Sequence, residues 1–323
     1  MYKLLAWVAQ KNYWLRSFLY NLFIKNYTYS NRRVWQHGWK RIILKNSEQP
    51  VRTRIHGYSV VVNCGSTYPL IARIYRKFNN PLVQLVYQTY SIRQRSICII
   101  DVGASIGDTV LVLIANLPGI FKKIICIEGH DESYKHLCQN MKQFSYVECV
   151  HALLSNSAQE KNLVRIHSGS FSIQGQSNIQ AATLDEVLMK KEMEFVDILK
   201  IDVDGFDGKV LAGATEILTT QKPQVIFEWH PALISKTGND FNQHFIVLRD
   251  CGYKKFLFFN KFGDFSHFMQ DIQTWELEQL AALCLNNKFS NDWHYDVIAL
   301  SDDLTDVTEL AECSFAKNKK NAC

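Results

Sequence analysis

Nine cysteines stand in 323 residues without one C-x-x-C pair, which excludes the ligand spacing of a zinc ribbon and the paired thiols of a thioredoxin-type site. Their positions, 64, 98, 126, 138, 149, 251, 284, 313 and 323, form no disulfide framework, and several fall inside apolar segments. The expectation is buried, reduced thiols in a cytoplasmic protein. No apolar run approaches the roughly 20 residues a membrane span needs, because Lys11 and Arg16 interrupt the opening stretch MYKLLAWVAQKNYWLRSFLYNLFIK. Its segment LLAWVA is also short for a signal-peptide core, and no cleavage site is evident after it. Nothing repeats internally, and no recognisable RNA-binding module is present.

Acid is nearly missing from the first third. Residues 1–100 hold 16 Lys or Arg and a single acid, Glu48, a net +15; the remaining 223 hold 20 basic and 30 acidic residues, a net −10. Within the basic part, Leu4, Leu5, Val8, Leu15, Phe18, Leu19, Leu22 and Phe23 recur mostly at three- and four-residue spacing, with Lys11, Arg16 and Lys25 among the polar positions. A basic amphipathic helix rich in Trp and Tyr can lie on an anionic membrane surface, here the inner face of a membrane, through residues 1–25. The same pattern also suits a helix packed on the rest of the chain or in a dimer interface, and the sequence leaves these open, as it does the oligomeric state. Nucleic-acid binding is the weaker alternative, since mixed basic and aromatic composition is common without it.

Residues 97–128 carry the most information. The apolar run Ile97 to Ile100 reads as a buried parallel strand, with Asp101 at its carboxyl end and a turn through Gly103, Ala104 and Gly107. Asp108 is placed to cap the next helix, which stops at Pro118-Gly119. A second strand, Ile124 to Ile127, ends in Glu128, about 20 residues beyond the glycines, where an acid bonds ribose hydroxyls in nucleoside-binding folds. The turn reads G-A-S-I-G, not the G-x-G-x-x-G that seats a pyrophosphate on a helix N-terminus. Carboxylates on either side would repel a pyrophosphate but suit an ammonium. S-adenosylmethionine, with a ribose, an amino group, a sulfonium and no phosphate, fits better than a nicotinamide dinucleotide. The plainer alternative is a βαβ unit whose glycines only let strand and helix pack.

The rest of the chain continues the alternation. A helix spans Asp131 to Phe144, a third strand Tyr146 to Val150, and a strand-rich excursion 162–173; Thr183-Leu-Asp-Glu186 is a capping box. A fourth strand, Val196 to Ile201, leads into Asp202 and one helix through Val210, Leu211, Ala214, Ile217 and Leu218; a fifth, Gln224 to Trp229, precedes a helix from Asn239 to Cys251. Strands at Tyr253 to Phe259 and His294 to Leu300 bracket a loop and the helix TWELEQLAAL. The pattern is that of a doubly wound α/β sheet. Three parts are expected: a basic, aromatic-rich, partly helical extension at 1–57, an α/β domain at 58–300, and a tail at 301–323 with little to hold it.

Ligands of open α/β sheets bind beyond the carboxyl ends of the strands. The residues expected there are Asp101, Glu128, Asp202, Asp204, Glu228 and His230, the last two sharing one face of the fifth strand while Phe227 and Trp229 share the other. A hydroxyl that is to accept a methyl group needs a general base, for which Asp202, Asp204, Glu228 and His230 are the candidates. Asp207 is better explained as a helix-capping acid. The acceptor pocket is expected from the basic third together with 162–180 and 230–240.

DVGASIGDT, CIEGHDESYKHLCQN, TLDEVL, DILKIDVDGFDGKVLAGA and PQVIFEWH resemble, in order and spacing, the FkbM-type S-adenosylmethionine-dependent methyltransferases over about residues 58–300. The resemblance implies a class I methyltransferase, Rossmann-like doubly wound seven-stranded sheet ending in an antiparallel hairpin, and O-methylation of a sugar, glycan or natural-product hydroxyl. It implies Asp101, Gly103, Ala104 and Gly107 at the cofactor pocket and Glu128 on the ribose. Glu128-Gly129 stands where the family usually has E-P, and Asp204 and Asp207 replace glutamates of K-I-D-V-E-G-x-E, shortening each reach by a methylene. Those changes create D-x-D at Asp202-Val203-Asp204, the pattern by which many glycosyltransferases hold a divalent metal. That rival would leave the glycine turn and Glu128 unexplained. A non-catalytic methyltransferase-like binding protein is the third possibility, and the retained Asp101, Glu128 and Asp202 argue against it.

Overall fold

The computed structural model describes residues 2–28, 31–75, 77–157, 164–167, 170–172, 181–191, 193–286, 293–301 and 305–312. The chain opens with α1 (Tyr2–Lys11), α2 (Tyr13–Asn26), α3 (Arg32–Gly38), a π-helical turn at Trp39–Ile43 and a 3-10 turn at Leu44–Asn46. The hairpin β1 (Pro50–Ile55) and β2 (Tyr58–Asn63) follows, then α4 (Tyr68–Ile74) and α5 (Asn80–Arg93). The main sheet begins with β3 (Ile97–Val102), α6 (Asp108–Asn116), β4 (Phe121–Glu128), α7 (Asp131–Met141), β5 (Val147–His151) and α8 (Leu184–Leu188). It continues through β6 (Ile198–Ile201), α9 (Asp207–Ala212), α10 (Thr215–Thr220), β7 (Gln224–Trp229), α11 (Pro231–Thr237) and α12 (Gln243–Asp250). Last come β8 (Lys255–Asn260), β9 (Phe265–Gln270), α13 (Thr274–Leu285), β10 (Tyr295–Leu300) and α14 (Val307–Glu312).

The strands lie in the order β9-β8-β10-β7-β6-β3-β4-β5. β3 to β7 run parallel, and β10 enters antiparallel between β7 and β8. This is the seven-stranded Rossmann-like arrangement implied by the motifs, widened by β9 as an eighth, antiparallel edge strand. The order reverses between β3 and β6, and there the chain leaves a crevice at the carboxyl edge. Residues of β3 feed two cores, Ile97 and Ile99 on one face and Ile100 and Val102 on the other, as expected of a parallel strand covered on both sides.

Several elements depart from the sequence pattern. The helix expected to run unbroken from Asp207 to Leu218 is split into α9 and α10 at Gly213, where a Cβ would stand 2.3 Å from the Ser155 carbonyl oxygen. α11 and β9 fill segments expected to be irregular. The capping box at Thr183 and Glu186 forms as expected. Of the excursion at 162–173, Val164–His167 pairs antiparallel with Ser170–Ser172, and 162, 163, 168, 169 and 173 lie outside the described residues. The boundary expected between 57 and 58 falls in the turn of the β1–β2 hairpin, so residues 50–63 form one unit. The tail is held at its start: Leu310 of α14 is buried, Ser301 N–H donates to Gln224 Oε1 (2.9 Å), and 313–323 lie outside the described residues. The seven described cysteines are free, Cys138 and Cys149 being half-buried and the other five buried. Among the described residues no helix is long and apolar enough to cross a membrane.

The N-terminal helix is broken where Asn12 caps α2, accepting from the Leu15 N–H (2.9 Å). Arg16, expected on the solvent side, is buried. Its guanidinium donates to the carbonyls of Ala9 (2.8 Å) and Gln10 (3.1 Å) at the end of α1, and to Pro50 O (3.0 Å) at the start of β1. A long cationic side chain thus satisfies the open carbonyls that a helix end leaves, at the cost of turning large apolar side chains of both helices outward.

Gly103 joins β3 to β6 by close backbone approach: a Cβ there would lie 1.8 Å from the Asp202 carbonyl oxygen, at φ +76. Gly119 has a similar φ of +81 and open space around it. In urea denaturation Gly119→Ala should cost about 1–2 kcal/mol, the penalty of left-handed backbone, and Gly103→Ala at least about 4 kcal/mol, the range reserved for named structural damage. Equal losses would mean that the approach of the two strands relaxes freely.

Candidate functional site

A cavity of about 760 Å³ opens at the carboxyl edge where the strand order reverses, within the ordinary range for small-molecule sites. Gly103, Asp108, Glu128, Asp202 and Asp204 line it, together with Lys200, His130 and His136. Its other wall comes from the basic part of the chain, including Trp39, Ser47, Glu48, Ser66 and Tyr68. Glu48, the one acid of the first hundred residues, therefore faces the site. The expected contribution of 162–180 falls mostly outside the described residues, and 230–240 do not line the cavity.

Glu128 is clamped at the end of β4. Oε2 accepts from Ser105 N–H (2.8 Å) and Oε1 from His130 N–H (2.7 Å). Each oxygen keeps a further acceptor site, so the carboxylate can still take two hydroxyls. Burial pushes its pKa up, with the His130 and Ser105 N–H groups pulling it back. The turn itself offers little to an anion. The N–H groups of Gly103 and Ala104 donate to Ile127 O (2.9 and 3.1 Å), that of Ser105 to Glu128, and that of Gly107 to Ala104 O (2.7 Å). Asp101 and Ala104 are buried, and with Gly107 they shape the turn without lining the cavity. Gly107 is the N-cap of α6, and Asp108, expected as the cap, is its first helical residue. That frees the Asp108 carboxyl to face the cavity, where burial pushes it up to about 7.

Lys200 is the countercharge. It sits in a wholly buried strand, its ammonium 3.1 Å from Asp101 Oδ1 and 3.4 Å from Asp202 Oδ2. Burial pulls its pKa down, but Asp101, Asp202 and Asp108 outweigh burial and hold it above the usual lysine value. Asp101 is pushed up by burial, with Lys200 opposing. Lys200 is not among the site residues expected from the sequence, although a charge inside the apolar run I-L-K-I was the signal. An ammonium thus stands beside Asp202, where the D-x-D alternative would seat a metal. Among the described residues no group of three or more His, Cys, Asp or Glu is placed to hold one.

Glu228 and His230 stand apart from the cavity lining, one strand further along the edge. Glu228 lies 3.4 Å from His294 Nε2, and His230 stacks on the same ring at 4.9 Å between centroids. They do share a surface, as their alternation implied, but that surface is His294. His230 caps α11, its Nδ1 accepting from Leu233 N–H (3.4 Å). Burial and the surrounding carboxylates of Asp202, Asp207, Asp204 and Asp296 push Glu228 well above the carboxylate range. Asp296, the register partner of Glu228, is pushed up to about 7 by burial and Asp202. Asp207 is structural: it is buried and accepts from Val203 N–H (3.2 Å) and Gly205 N–H (3.1 Å), pinning the loop that carries Asp202 and Asp204.

Residues 101–255 match the family model of the methyltransferase FkbM domain. No curated protein matches the chain. Among solved structures the chain is similar to the methyltransferase FkbM from Methylobacillus flagellatus KT, at 15% identity over 63% of this chain and 43% of that one, TM-score 0.39. It thus spans less than half the length of that protein. It is also similar to precorrin-6y C5,15-methyltransferase from Geobacter metallireducens GS-15 (13%, 64% and 81%, TM-score 0.36). A third is Aeropyrum pernix fibrillarin, a structure with natively bound S-adenosyl-L-methionine (11%, 63% and 66%, TM-score 0.37). Likenesses this weak carry no argument about function, and the fold assignment stands on the strand order itself.

Removing the Lys200 ammonium leaves Asp101 buried without its countercharge. Lys200→Met should cost about 3–5 kcal/mol near pH 8. The sign with pH follows from the raised Asp101 pKa: the folded variant holds a proton that the unfolded chain releases near pH 4. Stability is therefore lost as pH rises through that window and returns as it falls toward 5. Urea midpoints across pH check this, and a loss that is flat with pH would show that Lys200 matters by packing alone.

Proposed function

We propose that the chain, whose residues 101–255 match the family model of the methyltransferase FkbM domain, is a methyltransferase that moves the methyl group of S-adenosylmethionine to a hydroxyl oxygen of a sugar or glycan. The observation that carries this reading is the Glu128 clamp opening into a cavity lined by five acids, Glu48, Asp108, Glu128, Asp202 and Asp204, with Lys200 as its lysine. That lining favours a ligand bearing positive charge and a ribose, and the engaged N–H groups of the turn disfavour a pyrophosphate. The cofactor supplies, when bound, an electrophilic methyl group on a sulfonium. Glu128 would hold the ribose hydroxyls, and Asp108 and Asp202 would offset the cationic groups.

For the proton of the acceptor hydroxyl, Asp202 ranks first among the four expected bases. It lines the cavity, its side chain is 46% exposed, and the Lys200 ammonium stands 3.4 Å from its Oδ2. Asp204, two residues on, is second. Glu228, set against His294, and His230, engaged on α11, do not line the cavity and are poorly placed to take it. Ser47, Asn63, Ser66 and Thr67 beside Trp39 give the opposite wall the hydroxyl, amide and aromatic groups that a sugar's hydroxyls and C–H face would meet.

Calorimetry should find binding of S-adenosylmethionine or S-adenosylhomocysteine and none of a dinucleotide or a UDP-sugar, and Glu128→Ala should weaken that binding by about 1.5–3 kcal/mol, the worth of hydrogen bonds to a charged group. Tight UDP-sugar binding that needs manganese would transfer the assignment to a glycosyltransferase.

The acceptor is open to a mass-spectrometric comparison of glycans with and without the chain, since each methylation adds a fixed mass. On that acceptor, Asp202→Asn should lower single-turnover methyl transfer by about 10²- to 10⁴-fold with cofactor affinity nearly intact, while Glu228→Gln and His230→Ala stay within several-fold of wild type. A large loss in either of the last two, with Asp202→Asn active, would move the base one strand outward.

A further inference from the structure

We infer that the outer face of α1 and α2 seats the protein on an anionic lipid surface. Leu4, Trp7, Trp14, Phe18 and Leu22 are 66%, 53%, 71%, 63% and 46% exposed. Leu4 and Trp7 stand three residues apart on α1, and Trp14, Phe18 and Leu22 four apart on α2, so each helix carries an exposed apolar stripe. Their inner face is occupied by Ala6, Ala9, Arg16, Ser17, Tyr20 and Ile24, all buried, which leaves the large apolar side chains nowhere to go but outward. Isolated exposed apolar residues need no explanation, but an ordered stripe of them marks a contact surface.

The charge pattern selects the occupant. Lys3, Lys11 and Lys25 flank the stripe and are exposed, and Lys11 lies over the Trp7 ring at 4.5 Å. At the end of α2, Arg73 donates to the carbonyls of Lys25 (2.6 Å) and Tyr27, adding another cation there. The acid of the first hundred residues, Glu48, lines the cavity and not this face. A second copy of the chain would set lysines against lysines with no acid between them. Anionic headgroups supply the missing charge, and Trp and Phe beside lysines suit the interface between headgroup and acyl chain.

The stripe also bears on the site. On the inner side of α2, the Tyr20 hydroxyl donates to Ser66 O (2.7 Å), and its ring packs on Trp39 at 5.6 Å between centroids. Ser66 and Trp39 both line the cavity. One helix, about 10–12 Å across, therefore separates the proposed lipid face from the pocket wall. An acceptor carried on a lipid anchor suits that arrangement. This last step rests on the methyltransferase reading, whereas docking on lipid does not.

The test is flotation of the full chain with vesicles of phosphatidylcholine alone and of phosphatidylcholine with added phosphatidylglycerol, at low salt. The wild type should float with the anionic vesicles and be released by high salt. Lys3→Gln/Lys11→Gln/Lys25→Gln should bind about 100-fold more weakly, since each basic residue near such a surface contributes about fivefold. Trp7→Ser/Trp14→Ser/Phe18→Ser should lose at least about tenfold, and both variants should keep the wild-type melting temperature because every altered side chain is exposed. The proposal is overturned if the wild type does not float or if either variant floats as well as it. It is equally overturned if the aromatic variant instead dissolves a dimer in sedimentation velocity, melts lower, or loses binding to a single-stranded RNA while vesicles are ignored. None of these readouts involves methyl transfer, so they stand apart from the fate of the proposed activity.

Discussion

The buried ammonium of Lys200 between Asp101 and Asp202 organises the carboxyl edge of the sheet. Lys200 and Asp101 are register partners on adjacent parallel strands, so the pairing of β6 with β3 and the meeting of the two charges are one event. A charge in such a strand costs several kcal/mol unless it is paired. The pair therefore fixes which strand ends lie together at the switch point, and with them the crevice. Gly103 lets the two backbones close to contact just beyond the pair, and Asp207 pins the following loop through Val203 and Gly205. Three features of unrelated chemistry thus hold the same few ångströms of chain.

Around that cation the edge is acidic. Asp108 and Asp296 are each pushed up to about 7, and Glu228 well above the usual carboxylate value, because burial and neighbouring carboxylates raise them. Asp202, whose carboxylate lies 3.4 Å from the ammonium and lines the cavity, differs from Glu228 and Asp296, which do not line it, while Asp108 shares the lining with it. Such a separation of environments among like residues is what would let one carboxylate act as the base in the proposed reaction. The basic part of the chain completes the site from the other side, bringing Glu48, Tyr68 and Trp39 to the wall. Of its basic residues, Lys3, Lys11 and Lys25 stand exposed on α1 and α2.

Some of this was legible in the sequence. Parallel strands buried on both faces appear as near-continuous apolar runs, so β3, β4, β6 and β7 could be placed within about three residues, and the acids that end them with equal ease. The capping box at Thr183 needed only local chemistry. Other features could not be placed. Periodicity puts Glu228 on a face of β7 but does not say that β10 pairs there and brings His294 against it. In α1 and α2, apolar residues lie on both sides, so spacing alone could not decide which side is covered. Arg16 decided it, by reaching the end of α1 and the start of β1.

By itself, then, the sequence determined the strand-turn-helix-strand unit from Ile97 to Glu128, the alternation of strands and helices, and the sharp split of charge along the chain. These depend on neighbours in the chain and on burial pattern, which sequence records directly. The tertiary structure alone decided which acids face the cavity, that Lys200 is their countercharge, that Glu48 joins them from more than fifty residues upstream of the glycine turn, and which side of α1 and α2 meets the outside. These depend on contacts between distant segments, and register and packing, not composition, set such contacts.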